Sequence, residues 1–445
     1  MRTRAILRIL GVIVGLTSLT KLPSALYAWL ANEPTLDVYT GSFMLSAAIG
    51  ALLWLPNRHL RYDLRLRDGF LIVTLTWVSA SLVSALPLWL GPPHLSFSDA
   101  VFEATSGLTT TGATVIVGLD ALPRSVLLYR QVLQFLGGMG IVILAVAILP
   151  MLKIGGTQLF RAETTGPSRD NKLTPRIAGT AKALWMVYVG LTALCAASYW
   201  IAGMELFDAV CHAMSTVATA GFSTHDAALE YWDSGLLDTV AIVFMILGGI
   251  NFGLHFAAWR SASVAPYYAD SEMRAFLRIL MLASVVVALV LWIGGDYATL
   301  GESLRRSTFQ IVSAMTTTGF AVTGFHEWSS IAPLVVMLVA VIGGCSGSTV
   351  GGLKVARVMM VVRQGVREVR QLVHPRGQYL VKMGGRRVSE SVVLSVSGFI
   401  TLWMCCFMVL MLGMNASGLD LLSAFGATVA TLTNLLGGHL GEQRV

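Results

Sequence analysis

The sequence predicts an all-α polytopic membrane protein: an amino-terminal helix pair, then four parallel repeats of span, short helix and span. Composition gives the class, since 55% of the 445 residues are hydrophobic and only 12% charged, against roughly 25% charged in soluble domains. Mean hydropathy is +0.71, and apolar runs of about 20 residues, enough to cross a bilayer, recur along the chain. A third observation gives the architecture. A short apolar segment followed by threonine and glycine, first seen as "GLTTTGATV" at 107–115, returns at intervals of about 100 residues.

The helix pair occupies 1–66. "MRTRAILRILGVIVGLTSL" has the basic start and apolar core of a signal peptide. A second span at about 39–56 and the arginine-rich "RHLRYDLRLRD" follow, so a retained helix is expected. Lys and Arg number three in the first eight residues, four in 57–69, six in 152–182, three in 259–278 and nine in 354–387. Together these are 25 of the 31, all on one predicted side, leaving Lys21, Arg124, Arg130, Arg305, Arg306 and Arg444. That is a positive-inside pattern with a cytoplasmic amino terminus. The +7 net charge thus orients the chain and does not indicate nucleic acid.

Repeat 1 (67–152) has spans near 70–90 and 126–151 around "FSDAVFEATSGLTTTGAT". Repeat 2 (153–260) has spans near 182–202 and 236–258 around "LFDAVCHAMSTVATAGFST". Repeat 3 (261–370) has a span near 275–294, "LRRSTFQIVSAMTTTGFAVTGF", and a span from about 331. Repeat 4 (371–445) has a span near 391–413 and "LDLLSAFGATVATLTNLLGG". Asp99, Asp208 and Arg306 each precede a glycine (Gly112, Gly221, Gly319) by 13 residues, and the fourth pair at that spacing is Leu421 and Asn434. Apolar segments of about 11 residues are too short to span and suit re-entrant helices. Two full crossings per repeat give all four one orientation, so they surround an axis; they are not the inverted repeats of many carriers.

Extended backbone at membrane depth is tolerated where it is buried or lines a water-filled cavity. Four such segments around an axis can replace a cation's hydration shell with carbonyl oxygens. Glycine supplies the backbone angles that turn carbonyls inward, and threonine suits the extended part. The half-helices aim their partly negative C-terminal ends at the axis, which favours cations. The five cysteines, Cys195, Cys211, Cys345, Cys405 and Cys406, show no metal or disulfide spacing, and the chain contains no phosphate-binding loop or catalytic constellation.

These motifs resemble the membrane subunit of Trk-type potassium uptake systems, the TrkH family of the Trk/Ktr/HKT superfamily. The resemblance covers essentially the whole chain, including "GGMGIVILAVAILPML", "QLFRAETTGPSRDNKLTPRIAGTAKALW", "GGINFGLHF" and "GGCSGSTVGGLKVAR". It implies M1–P–M2 pore repeats and a potassium filter formed by Thr109, Thr110, Thr111 and Gly112; Ala218, Thr219, Ala220 and Gly221; Thr316, Thr317, Thr318 and Gly319; and Thr431, Leu432, Thr433 and Asn434. Asn434 replaces a fourth glycine in this reading; asparagine tolerates positive φ. The resemblance further implies K+ as the transported ion, no covalent cofactor, a homodimer in the bilayer of the cell inner membrane, and a cytosolic nucleotide-binding RCK-type regulatory subunit. Nucleotide control is then indirect. The alternatives are a sodium-permeable or ion-coupled (symport) cation carrier and a truncated, non-conducting scaffold.

"GGCSGSTVGG" at 343–352 interrupts an apolar helical run. Glycine costs about 1 kcal/mol each in a helix, so the helix is expected to break, with a tight small-residue helix interface as the alternative. The family assigns an intramembrane gate here: Gly343, Gly344, Ser346, Gly347, Ser348, Thr349, Gly351 and Gly352. Glu103 either attracts cations or pairs structurally; Asp99 and Asp208 suit half-helix N-termini; His212, His255 and Asn251 are expected to pack and hydrogen-bond. "KVARVMMVVRQGVREVRQLVHPRG" predicts a cytoplasmic helix and turn that meets anionic lipid or the regulator. Only "HLGEQRV" follows Gly438, so the fourth repeat is expected to lack its final helix.

Overall fold

The computed structural model describes residues 3–58, 66–143, 177–325, 328–329 and 331–435. The arginine-rich 59–65, the part of "GGMGIVILAVAILPML" beyond Ile143, most of "QLFRAETTGPSRDNKLTPRIAGTAKALW" and the carboxyl-terminal "HLGEQRV" lie outside the described residues. The expectation of a missing last helix falls there too.

The helix pair is α1 (Thr3–Ser18), a 3-10 turn at Leu19–Lys21, α2 (Leu22–Leu30) and α3 (Leu36–Trp54). Repeat 1 follows as α4 (Leu66–Leu90), α5 (Phe97–Leu108) and α6 (Arg124–Ile143). Its short helix starts where Ser96 Oγ accepts the Asp99 amide at 3.2 Å and donates to Asp99 Oδ2 at 2.7 Å, a reciprocal N-terminal cap. Twelve residues rise about 18 Å, well short of the roughly 30 Å hydrocarbon core. Asp208 likewise sits in the first turn of the short helix of repeat 2, Leu206–Ala218.

Repeat 2 comprises α7 (Ile177–Ile201), the short α8 (Leu206–Ala218), α9 (Gly235–Gly249) and α10 (Phe252–Ser261). The span expected at 236–258 is broken, with α9 and α10 bent by 96°. Asn251 starts the second piece by accepting the Gly253 amide at 2.7 Å, which is N-cap behaviour. Repeat 3 contains α11 (Ala265–Ala269), α12 (Ser271–Gly294), the short α13 (Leu300–Met315), α14 (Ala332–Ile342) and α15 (Val355–Val373). The helix does break at the glycine cluster, between Ile342 and Val355. Repeat 4 opens with a two-residue antiparallel hairpin, Lys382 opposite Arg387. Then come α16 (Glu390–Ala416) and the short α17 (Leu421–Thr433).

Among the described residues six helices are long and apolar enough to cross a membrane, or seven if the bent pair counts as one span. The chain is therefore a multi-pass membrane protein. Its largest core joins repeats 2 to 4 around Tyr188, Phe276, Phe309 and Phe320. A second packs repeat 1 on the helix pair through Tyr39, Ala104, Leu108 and Leu133. Apolar side chains such as Ile201 and Ile293, 81% and 77% exposed, face outward, a costly pattern in water and the expected one in lipid.

Candidate ion-conduction site

Each short helix ends in the same backbone turn. One or two residues past it the backbone is left-handed, at Thr110 (φ 56), Thr219 (φ 52), Thr317 (φ 49) and Asn434 (φ 62). The next amide reaches back to the helix, from Thr111 to the Ser106 carbonyl, Ala220 to Ser215, Thr318 to Ser313 and Leu435 to Ala430, at 2.8–3.0 Å. A left-handed β-branched residue costs about 1–2 kcal/mol, and three of the four positions bear it. One residue further, Gly112, Gly221 and Gly319 have φ of 81, 84 and 82.

This register corrects the fourth segment. Asn434 was expected at the glycine position, but its backbone stands with Thr110, Thr219 and Thr317, two residues earlier. Counted from the N-caps, Asp420 matches Ser96 and Glu205, each 14 residues before the left-handed residue. The 13-residue spacing therefore belongs to Ser423 and Leu436, not to Leu421 and Asn434. The 13-residue rule slipped because the fourth segment offers no glycine to anchor it. Leu436 itself lies outside the described residues.

The segments and their helices form a ring, in which repeats 3 and 4 meet where a Cβ on Gly426 would lie 3.2 Å from Met337 Cε. A Cβ on Gly221 would fall on the Thr318 carbonyl oxygen, joining repeats 2 and 3. Asn434 Nδ2 donates to the Thr109 carbonyl at 2.8 Å, and its Oδ1 accepts the Thr111 hydroxyl at 2.5 Å, joining repeats 4 and 1. Repeats 1 and 2 meet through Gly138, where a Cβ would lie 3.1 Å from Ala218 Cα. In repeats 1 and 3 the outer threonine hydroxyls pair, Thr109 with Thr111 at 2.7 Å and Thr316 with Thr318 at 2.8 Å.

Backbone carbonyls divide into two sets. Those of Thr109, Ala218, Ala220 and Thr433 accept protein hydrogen bonds, Ala220 from Gln134 Nε2 at 2.9 Å and Thr433 from the Gly352 amide at 3.1 Å. The carbonyls of Thr110, Gly112, Thr219, Gly221, Thr317 and Gly319 accept none among the described residues. Thr110, Thr219 and Thr317 are nevertheless buried, at 1–2% exposure. Buried carbonyls without donors are rare and call for a partner, and a desolvated cation suits oxygen ligands.

Beneath the ring runs the loop between Ile342 and Val355. Thr349 Oγ1 lies 3.0 Å from Thr219 Oγ1 and donates to the Val217 carbonyl at 3.3 Å. The Gly351 amide donates to Thr317 Oγ1 at 2.8 Å, and the Gly352 amide to Thr433 as noted. The loop thus touches the helix ends of repeats 2, 3 and 4. It also docks into the broken helix of repeat 2: the Cys345 amide donates to the Gly249 carbonyl at 2.9 Å, and the Phe252 amide to Gly347 at 3.1 Å. Gly343, Gly347 and Gly352 have φ of 73, 79 and 72, angles costly to residues with a Cβ. Gly344, Ser346, Ser348 and Thr349 are buried or partly buried, and Ser348 Oγ caps the Cys345 carbonyl at 2.6 Å.

Glu103 is an ion-pair partner. Arg130 Nε donates to its Oε1 at 2.8 Å, and both side chains are sealed from solvent. Arg130 also reaches the Ser223 carbonyl at 3.2 Å and Thr114 Oγ1 at 2.9 Å, with its guanidinium 4.1 Å from the Phe222 ring. Gln131, the next residue, and Gln134, one turn on, hold the Phe222 and Ala220 carbonyls. Sequence reasoning treated Arg130 only as a charge to count and passed over both glutamines; polar residues inside a span are the signal that marks them. His212 bonds the Asp208 carbonyl at 2.9 Å and Ser223 Oγ at 3.0 Å. His255 bonds Tyr267 Oη at 2.7 Å and the Leu247 carbonyl at 2.9 Å. Among the described residues no group of three or more His, Cys, Asp or Glu could hold a metal ion.

A family model described as TrkH, a cation transport protein, matches residues 36–443. The Trk system potassium uptake protein TrkH of Vibrio parahaemolyticus is 48% identical over 99% of this chain and 92% of its own length. Its namesake in Escherichia coli K12 is 46% identical over 98% of this chain and 90% of its own. A crystal structure of the potassium transporter TrkH from Vibrio parahaemolyticus superimposes with a TM-score of 0.89, at 46% identity, covering 99% of this chain and 92% of that one.

Proposed function

This chain belongs to the TrkH family of cation transport proteins, and from that premise we propose that it carries potassium across the cell membrane through the pore its four repeats surround. The observation that carries the reading is the ring of buried, donor-less carbonyls at Thr110, Thr219 and Thr317, continued at Gly112, Gly221 and Gly319. A potassium ion gives up its water there and takes these oxygens instead, with the half-helix C-termini adding negative potential. Asn434 closes the fourth side through its links to Thr109 and Thr111. The names of the relatives, potassium uptake proteins, support the choice of ion. The pore repeats are 67–152, 153–260, 261–370 and 371–445, after the helix pair 1–66. The loop at 343–352 is the gate: it lies against three of the four helix ends, where a shift of its backbone opens or blocks the path. The charge asymmetry supports a cytoplasmic amino terminus, and the protein acts in the inner membrane. There it works as a homodimer under an RCK-type nucleotide-binding subunit.

Rubidium uptake by potassium-transport-deficient cells expressing this chain tests the reading. Uptake above empty-vector cells, with potassium competing and sodium not, is expected. Uptake no greater than the vector control, with the chain present in the membrane, overturns it; equal competition by sodium overturns the selectivity.

A further inference from the structure

We infer that Glu272 is the pin that holds the 343–354 loop closed, a positioning residue for conduction that the pore-lining motifs do not include. Glu272 lies in the first turn of α12, the first span of repeat 3, and is 3% exposed. A single carboxylate oxygen, Oε1, accepts three hydrogen bonds: from the Ser346 amide at 2.7 Å, the Ser346 hydroxyl at 3.1 Å and the Ala356 amide at 3.0 Å. These donors stand on opposite limbs of the loop. Ser346 is just past the break of α14, and Ala356 is in the first turn of α15. Two backbone bonds also join the limbs, from the Leu353 amide to the Val341 carbonyl and from the Val355 amide to the Gly344 carbonyl, both at 3.0 Å; Glu272 adds a side chain that clamps both limbs at once.

Several features make this contact different from the loop's other bonds. The loop's contacts with the filter ends and the broken helix are neutral and, apart from Thr349, involve one donor and one acceptor each. The Glu272 contacts are hydrogen bonds to a carboxylate, roughly twice as strong as neutral ones. They also sit at the loop's base rather than its tip, so their loss loosens the segment and leaves the neutral bonds to hold it. The acceptor belongs to repeat 3's own first span, whose start is fixed by Asp270, which accepts the Met273 amide at 2.8 Å. Lying away from the ring, Glu272 controls the loop without lining the pore.

The inference rests on the reading of 343–352 as a gate, so its test has a readout independent of flux. Cys345, in the loop and 1% exposed, reports opening by its rate of maleimide labelling; Cys195 and Cys211, both buried outside the loop, report global unfolding. In the full chain with Cys405→Ser and Cys406→Ser, purified in lipid nanodiscs, Glu272→Ala is expected to raise Cys345 labelling at least fivefold. Labelling of Cys195 and Cys211 stays unchanged, and the isosteric Glu272→Gln falls between Ala and parent. In liposomes the same order is expected for rubidium flux, with an unaltered rubidium-to-sodium ratio because the filter is intact. Unchanged Cys345 labelling in a monodisperse Glu272→Ala protein overturns the inference, as does a rise shared equally by all three thiols. If Glu272→Ala does not yield a monodisperse protein, Glu272→Gln decides alone by the same criteria. Ordered labelling without flux in any variant leaves the pin standing and overturns the transport reading instead.

Discussion

Arg130 and Glu103 form an ion pair at 2.8 Å with each residue 1% exposed. Its hydrogen bonds go to Thr114, Val115 and Ser223, outside the proposed filter residues. Glu103 spends its carboxylate on Arg130, on Thr114 Oγ1 at 3.0 Å and on the Val115 amide at 3.0 Å. Arg130 carries the connection across to Ser223 in repeat 2. Of the two roles open to Glu103 from sequence, the geometry selects pairing.

Removing one partner strands the other charge in a dry site, at about 3–5 kcal/mol. Arg130→Met is therefore expected to lower the melting temperature of the purified protein markedly. The double variant Arg130→Met, Glu103→Met recovers much of the loss, because a buried pair replaced by apolar side chains is often near neutral. Fluorescence-detected melting in one detergent checks both. Equal melting of the single variant and the parent sinks the assignment.

Gly221 and Thr318 bring two neighbouring segments together, and a methyl on Gly221 would overlap the Thr318 carbonyl oxygen. Its φ of 84 also penalises any side chain. Gly221→Ala is expected to cut rubidium uptake by at least about tenfold, the effect of roughly 1.4 kcal/mol, while membrane insertion is unaffected. Surface biotinylation monitors insertion beside the uptake assay. Normal uptake by Gly221→Ala removes this segment from the filter.

Asn434→Gly keeps the left-handed backbone and deletes the two side-chain bonds to Thr109 and Thr111. Each neutral bond is worth about 0.5–1.5 kcal/mol, and both act on filter positions rather than on overall stability. The expected result is retained rubidium flux with discrimination against sodium reduced by up to about tenfold. Competition assays at fixed rubidium measure it; an unchanged ratio shows that Asn434 does not shape the ring.

Much of this organisation is legible in the sequence. The 13-residue interval to Gly112, Gly221 and Gly319 locates three of the four left-handed turns after the short helices, because a left-handed position followed by a positive-φ glycine is a local requirement written in residue type. The fourth failed where that signal ends: Asn434 satisfies the left-handed position as readily as the glycine position, and only the N-cap at Asp420 separates the two. The break at Gly249–Phe252 was hidden inside an apolar run, although Asn251 between a glycine pair and a helix carries an N-cap signature. Arg130, Gln131 and Gln134 stand out by type as polar residues inside a span, but their roles and that of Glu272 were illegible for a different reason. Each has a partner between 74 and 93 residues away, and no local pattern encodes a bond of that range.

The loop at 223–234 carries a pH-dependent contact outside the spans. His225 Nδ1 pairs with Asp120 of the repeat 1 loop, Nε2 lies 3.5 Å from Asp208 Oδ2, and the ring stacks on Tyr231 at 3.8 Å. Partial burial depresses the imidazole pKa, but the hydrogen bonds to Asp208 and Asp120 outweigh it, and the net direction is upward from 6.5. A raised pKa means the folded protein holds the proton more tightly than the unfolded chain. The stabilisation is therefore complete below about pH 6.5, the unfolded value, and is lost as pH rises through the higher folded value. His225→Gln cannot take the charge, so the parent's melting temperature should exceed the variant's by more at pH 6 than at pH 9. The Asp226 carboxylate, which accepts the Gly118 amide at 3.0 Å, keeps the two loops in register in both proteins and makes the comparison local. A gap that is constant between these pH values, or that widens toward pH 9, rules out a protonated His225 as the tie between the loops.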